Sequence, residues 1–371
     1  MDFDFTDDQQ SLRDAVRRWV DKAFAFERRH SIAKAGGFSR AVYGELAELG
    51  LCGLAVPESQ GGLGFGPVEA MVVMEELGRG LVPAPYAQGA LIAPAALAQG
   101  SADLQAHWLA RVADASALVV LAHQERSGRY RLDQTLTSAH EASCGWHLDG
   151  TKSVVPAGDE ADAFLVPAHS GHGIQLFLVE RSAPGVSVRG YATHDGARAA
   201  EVHLAGAPAR LVTREGQFVL EQLVDIGIAA ACAEGVGLME RLLEITVEYL
   251  NTRQQFSVAL SGFQALRHRV ADMKMQLELA RSMSYLATLR LGDAADLRRR
   301  AVSQAKVQLG QSMRFVGQQA VQLHGGIGVT DEYIASHYFK RLTVLELTFG
   351  DTLHHLGEVS ARMQESAGAF A

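Results

Sequence analysis

Between Leu266 and Leu291 small and apolar residues recur at alternating steps of four and three, at Leu266, Val270, Met273, Leu277, Ala280, Ser284, Ala287 and Leu291. That spacing predicts one stripe of a helix of about eight turns facing a partner helix. A seam of this kind is first of all the core of an antiparallel bundle, and taken alone it requires no ligand. The residues just before it add something different. Arg253 stands where the chain turns between two helical patterns, with Phe256 three residues on and Gln264 eleven on. A guanidinium fork matches a pyrophosphate, and an aromatic edge beside it suits a purine.

The remainder of the chain divides by texture into three regions. Thr6 followed by Gln9 reads as a capping box ahead of a helix with Leu12, Val16, Trp19 and Val20 on one side. A second helix follows Ser39 and ends near Leu51 to Gly53, before a turn-rich loop around Pro57. Val68 to Gly80 is helical, and the alanine-rich stretch Ala84 to Gln99 is expected to be buried. Residues 1–112 thus read as a helical domain. Residues 113–213 hold short β-favouring runs (ALVVLA, WHLDGTKSVV, AFLVPA, IQLFLVE, VSVRGY, AEVHLAG) whose spacing predicts an antiparallel sandwich or barrel. Residues 214–371 return to helix. The expected fold class is therefore mainly α with a central β domain.

Charge and cysteine usage exclude several functions. The net charge of -8, with no long one-sided Lys/Arg cluster, argues against a nucleic-acid footprint; Arg298 to Arg300 reads as a solvated helix face. Cys52, Cys144 and Cys232 are widely spaced, which suggests neither a disulfide framework nor a zinc site. His324, His354 and His355 lack metal-ligand spacing and read as surface or capping residues. The acidic start MDFDFTDDQQ has no secretory pattern, and no run of eighteen uncharged apolar residues is present. A cytoplasmic protein is expected.

The pattern R-x-x-F-x(7)-Q leading into HRVADM, with QLHGGIG about sixty residues later, resembles the carboxy-terminal bundle of the FAD-dependent acyl-CoA dehydrogenases. MEELGRGLVP, ERSGRY and HYFKRLT extend the likeness over essentially the whole chain, which is most similar to chains described as small subunits of pimeloyl-CoA dehydrogenase. The resemblance implies a helical amino-terminal domain, a middle β-barrel or sandwich and a carboxy-terminal four-helix bundle. It also implies FAD as cofactor, an acyl-CoA thioester as substrate and an electron-transfer flavoprotein as acceptor. In the family, residues at the positions of Arg253, Phe256, Gln322 and Gly326 reach across a subunit interface to a neighbour's FAD; Gln264 and Gly325 lie beside them. Gly325 and Gly326 read equally as a plain helix stop.

Other family positions are replaced. The T-E-P-x-x-G-S-D-like segment becomes HQERSGRY at 123–130, and the W-I-T triplet becomes Val154, Val155 and Pro156. Proline has no N–H and no hydroxyl, so a threonine's hydrogen bond to the flavin cannot be made there. The Y-E-G-T motif falls on Thr348, Phe349, Gly350 and Asp351, leaving phenylalanine at the place of the catalytic glutamate. The alternative base position, twenty-six residues before Arg253, is Gly227, followed by Ile228. Asp351 and Asp225 are the nearest acids; Asp351 reads either as a displaced base or, more simply, as a cap on the next helix. Three readings follow. The chain is the small subunit of a mixed oligomer that completes the FAD site of a catalytic large subunit, a self-sufficient homomeric enzyme using Asp351, or a structural partner without flavin. Pimeloyl-CoA, another dicarboxylyl-CoA and a steroid-derived CoA ester remain open as substrates.

Overall fold

The computed structural model describes residues 4–143 and 145–367, so Cys144 lies outside the described residues. The chain forms two compact units, one of Met1–Arg29, Pro67–Val82 and Ile228–Ala371, the other of His30–Gly66 and Pro83–Gly227.

The first unit is helical. Helix α1 (Asp7–Ala23) begins with the expected capping box, the Gln9 N–H donating to Thr6 Oγ1 at 3.2 Å and the Thr6 N–H to Gln9 Oε1 at 3.1 Å. α1 packs on α4 (Pro67–Arg79), and two buried acids of α4 bind α1 directly. Arg13 Nη2 donates to Glu75 Oε2 at 2.9 Å, and Arg17 grips Glu76 at 3.0 and 2.7 Å. The long helix α7 (Gly216–Thr252) crosses α4 closely, since a Cβ at Gly237 would collide with the Glu75 carbonyl. Helices α8 (Gln264–Leu289), α9 (Ala295–His324), α10 (Ile334–Leu347) and α11 (Thr352–Ala367) complete the bundle, with α9 packed against each of the other three.

The expected seam is present on α8. Met273, Leu277, Ala280, Ser284 and Ala287 are buried, while Leu266 and Val270 are partly covered. Leu291 falls beyond the helix, which stops at Leu289 because the Gly292–Asp293 turn follows. Two expectations are corrected in this unit. Arg298 is buried rather than solvated, its guanidinium turned back toward the Asp293 carbonyl ahead of α9. His324 and His355 are also buried. The rings that cover His324 and the Ser303 hydroxyl that meets His355 come from elements distant in sequence, which spacing cannot reveal. Among the described residues one helix, α7, is long and apolar enough to cross a membrane, yet 83% of its most apolar stretch is buried in the protein. Its apolarity is that of a core helix.

The second unit carries the β region. It comprises β1 (Val119–Leu121), β2 (Ser138–Ala142), β3 (Gly145–Pro156), β4 (Ala163–Ser170), β5 (Gly173–Glu180), β6 (Val186–Ala192) and β7 (Arg198–Thr213). Strands β4, β2, β3, β7 and β5 pair in a closed ring, so the architecture is a barrel. It is not wholly antiparallel, because β1 and β2 both run parallel to β4. Strand β2, SAHEA, has no β-branched run and is held by its neighbours, so its sequence gave no signal. Short helices α2 (Phe26–Lys34), α3 (Arg40–Glu48), α5 (Ala93–Leu97) and α6 (Ala102–Ala113) accompany the sheet. The alanine-rich stretch is buried as expected, but Ala87–Ile92 winds as a π-helix, with the Tyr43 side chain seated against Gly89.

Candidate FAD clamp and the replaced catalytic positions

The connector after α7 is a tight hairpin. β8 (Gln254–Gln255) pairs with β9 (Val258–Ala259), and the Leu260 N–H donates to the Arg253 carbonyl at 2.9 Å. Phe256 (φ 53°) and Ser257 (φ 62°) form its two-residue turn, both left-handed as a type I′ turn requires. Asn-Gly is the usual sequence there, and a phenylalanine in that conformation is strained. Phe256 is 87% exposed, and its ring meets only the edge of Phe263 at 6.2 Å among the described aromatic contacts. Arg253 and Gln264, the first residue of α8, are also exposed. The hairpin thus presents a cation, an aromatic ring and an amide outward.

The end of α9 lies next to the end of α7. His324, the last residue of α9, packs its ring 4.6 Å from that of Tyr249, one turn before Arg253. Gln322 is exposed, and Gly325 (φ 65°, ψ -141°) and Gly326 open a turn of 3₁₀ helix running to Val329. Such a φ suits glycine, and two exposed glycines leave their backbone open to an anionic group. The tertiary fold therefore brings Arg253 and the Gln322–Gly326 segment to adjoining helix ends, with Phe256 and Gln264 on the connector between.

Where the family's base would sit, the loop after α10 is filled by protein hydrogen bonds. Lys306, buried on α9, donates from Nζ to the carbonyls of Leu345 (2.9 Å), Glu346 (2.9 Å) and Gly350 (2.8 Å). Burial lowers its pKa to about 8, although Cys232, Glu346 and Asp351 favour the charged form. Phe349 has φ 57°, and its carbonyl accepts from His355 Nε2 at 3.0 Å. Burial, together with the charge of Lys306, takes the pKa of His355 down to about 3, so the ring is neutral. Asp351 Oδ1 accepts the His354 N–H at 2.8 Å and caps α11. Glu346 Oε1 accepts from the Thr352 N–H (3.0 Å) and Thr352 Oγ1 (2.6 Å). At the alternative base position Gly227 and Ile228 offer no carboxylate, and Asp225 is fully buried.

Lys152 and Glu125 form a buried ion pair in the barrel, next to an edge that carries no side-chain donor at Val154 or Pro156. Lys152 Nζ donates to Glu125 Oε1 at 2.7 Å, and that carboxylate also accepts from Thr135, from the Leu136 N–H and from Thr137. Burial acts to raise the pKa of Glu125, but Lys152 and these donors outweigh it and hold the carboxyl at about 2. Next to Lys152 the β3–β7 register slips, and Val154 bulges out, half exposed at φ 52°. Val154 and Pro156 supply no side-chain donor. The exposed α7–α9 ends thus fit a nucleotide cofactor, whereas the Val154–Pro156 edge of the barrel does not supply the hydrogen bond a flavin ring takes from threonine.

Family models for the amino-terminal and carboxy-terminal domains of acyl-CoA dehydrogenases match residues 6–116 and 216–364. The acyl-CoA dehydrogenase FadE27 of Mycobacterium tuberculosis is 30% identical, over 99% of this chain and all of that protein. The chain belongs to the acyl-CoA dehydrogenase family. FAD is the cofactor that goes with this membership, and the chemistry class is oxidoreduction. Benzylmalonyl-CoA dehydrogenase of Aromatoleum aromaticum is 27% identical over 92% of this chain and 93% of its own. Among solved structures, the ChsE4-ChsE5 complex from Mycobacterium tuberculosis superimposes with a TM-score of 0.92 at 31% identity, covering 98% of this chain and 99% of the other. The Tcur3481-Tcur3483 steroid ACAD variant does so at 0.90 and 30%, covering 97% and 99%.

Proposed function

We propose that this chain is the small subunit of a mixed acyl-CoA dehydrogenase, in which its exposed clamp completes the FAD site of a catalytically intact large subunit. The observation that carries this reading is Phe256, a strained aromatic held almost wholly in solvent beside Arg253. A side chain in that state buries little surface within its own subunit, and an interface would give it a partner. The base loop supports the same division, because Lys306, His355 and Glu346 fill it and the glutamate position is Phe349. The two-component naming of the ChsE4-ChsE5 and Tcur3481-Tcur3483 structures is a further support.

Each residue then has a defined task. The FAD held at the interface supplies hydride acceptance from the acyl β carbon. Arg253 would meet the charge of its pyrophosphate, Phe256 would offer an aromatic face to its purine, and Gln264 and Gln322 would offer amide hydrogen bonds. Gly325 and Gly326 let the main chain approach. Removal of the α proton falls to the large subunit. The substrate is an acyl-CoA with a pimeloyl, other dicarboxylyl or steroid-derived acyl group, the last favoured by the steroid named for one similar structure. Electrons leave to an electron-transfer flavoprotein, and the assembly works in the cytoplasm. The alternative of a homomer with Asp351 as base is disfavoured by the cap that this carboxylate makes to His354.

The test is to isolate the tagged full chain from its native cells. Co-purification of a second acyl-CoA dehydrogenase chain, with about one FAD per pair and acyl-CoA-dependent bleaching of the flavin, is expected. A homomer holding one FAD per chain and oxidising acyl-CoA unaided would overturn the reading, as would an assembly with no flavin.

A further inference from the structure

His324 is only 3% exposed, and its two ring nitrogens are treated differently. Nδ1 donates to the Ala320 carbonyl, 2.8 Å away on the preceding turn of α9. This assigns the proton to Nδ1 and leaves Nε2 a bare lone pair, buried and without a hydrogen-bond partner. The ring lies between two tyrosines, Tyr249 of α7 at 4.6 Å and Tyr333, just ahead of α10, at 5.2 Å. Those tyrosine rings are themselves 6.3 Å apart, so three aromatics close a cluster beneath the point where α7 and α9 end. Arg253 follows Tyr249 by one turn, and its N–H donates to the Tyr249 carbonyl at 2.8 Å. Gly325 follows His324 directly.

We propose that His324 is a positioning residue for the flavin clamp, its neutral ring fixing the end of α9 that carries Gln322, Gly325 and Gly326 against the turn of α7 that leads to Arg253. This role rests on reading the two helix ends as a clamp. Helix ends fray, and an aromatic bridge within the last turn of each helix holds their separation. Neutrality matters for a geometric reason: a proton on Nε2 would be an N–H with no acceptor, enclosed by two aromatic rings. The titratable groups facing the ring are Tyr249 from α7 and Tyr333 from the segment before α10, with Glu248 acting on Tyr333. Burial holds the imidazole below its ordinary range, partly offset by the Ala320 carbonyl. Acidification below about 6.5 is therefore expected to loosen the clamp.

The experiment uses the assembly isolated through the tagged chain, with FAD release followed by the fluorescence of free flavin. His324→Ala, lacking the ring, should weaken FAD retention about tenfold. His324→Phe keeps the ring contacts and removes the titration, so it should restore retention and give a release profile that no longer steepens below pH 6.5. A purely structural role would lower the melting temperature of both variants and leave the two pH profiles parallel, which would overturn the assignment. If His324→Ala does not fold, the profile of His324→Phe against the natural chain decides alone. Arg253→Ala separates the two levels of the argument. Loss of FAD with Arg253→Ala, but wild-type retention and pH dependence in both His324 variants, overturns the role of His324 only; full retention with Arg253→Ala overturns the clamp and His324's role with it.

Discussion

Lys306 Nζ lies 2.8 Å from the carbonyl oxygen of Gly350, forty-four residues away, and the same nitrogen reaches the last carbonyls of α10. A buried ammonium thus does for this loop what a terminal cap does for an exposed helix. Lys306→Met keeps much of the stem and leaves three carbonyls without their donor. It should destabilise the protein by roughly 2 to 5 kcal/mol, since a single buried unsatisfied group costs about 1 to 3. Denaturant unfolding checks this, and a midpoint equal to that of the natural chain would remove the loop-locking role.

Asp351 gives a sharper test of catalysis. Asp351→Asn preserves an N-cap acceptor and removes a base, so turnover of the mixed assembly should change by less than about twofold and stability by a few tenths of a kcal/mol. Asp351→Ala should cost about 1 kcal/mol through the lost cap. A thousandfold loss of turnover with Asp351→Asn would make this carboxylate the base.

Phe256→Gly separates strain from binding. Glycine accepts the left-handed turn, which favours the variant; its larger unfolded-state entropy opposes it, and together these leave stability within about 1 kcal/mol of the natural chain. FAD retention in the assembly should nevertheless fall, because the aromatic cover is gone. Undiminished retention would place Phe256 outside the cofactor site.

Stability should decline on acidification, and His355 is one cause. Its folded pKa, about 3, is depressed below the ordinary value of 6.5. Its contribution is therefore fully present above pH 6.5 and is lost as the pH falls from there toward 3. The slope from a single group is at most about 1.4 kcal/mol per pH unit. His355→Phe, read as unfolding free energy against pH, should flatten the curve between pH 6 and 4. An identical slope would show that His355 does not titrate in this way.

The α8 seam has an internal control. Leu277 is fully buried and Leu279 is 45% exposed on the same helix. Leu277→Ala should cost about 2 to 5 kcal/mol and Leu279→Ala under about 0.5 in the isolated chain. Equal effects would mean that the exposed stripe is covered in solution.

Local signals made much of this fold legible in the sequence. The period of Met273, Leu277, Ala280, Ser284 and Ala287 marks the buried face of α8, since helical geometry alone brings such residues into line. Thr6 and Gln9 announce the start of α1 because a capping box lies within four residues. The helix–sheet–helix order follows from the same short-range periodicities, and the motif spacing around Arg253 and QLHGGIG located both halves of the proposed clamp. The tertiary structure decided what depends on partners far apart in the chain. It closed the barrel through β2, whose SAHEA sequence has no strand preference of its own, and ran β1 and β2 parallel to β4. It buried His324 against Tyr249 of α7, set His355 against Ser303 of α9, and buried Arg298 as well. It placed Phe256 in a left-handed hairpin turn without the usual Asn-Gly. It also placed Lys306 beneath the loop at Gly350. Periodicity reports which face of an element is apolar; which distant donor meets which acceptor is set by packing, and only the folded chain contains that information.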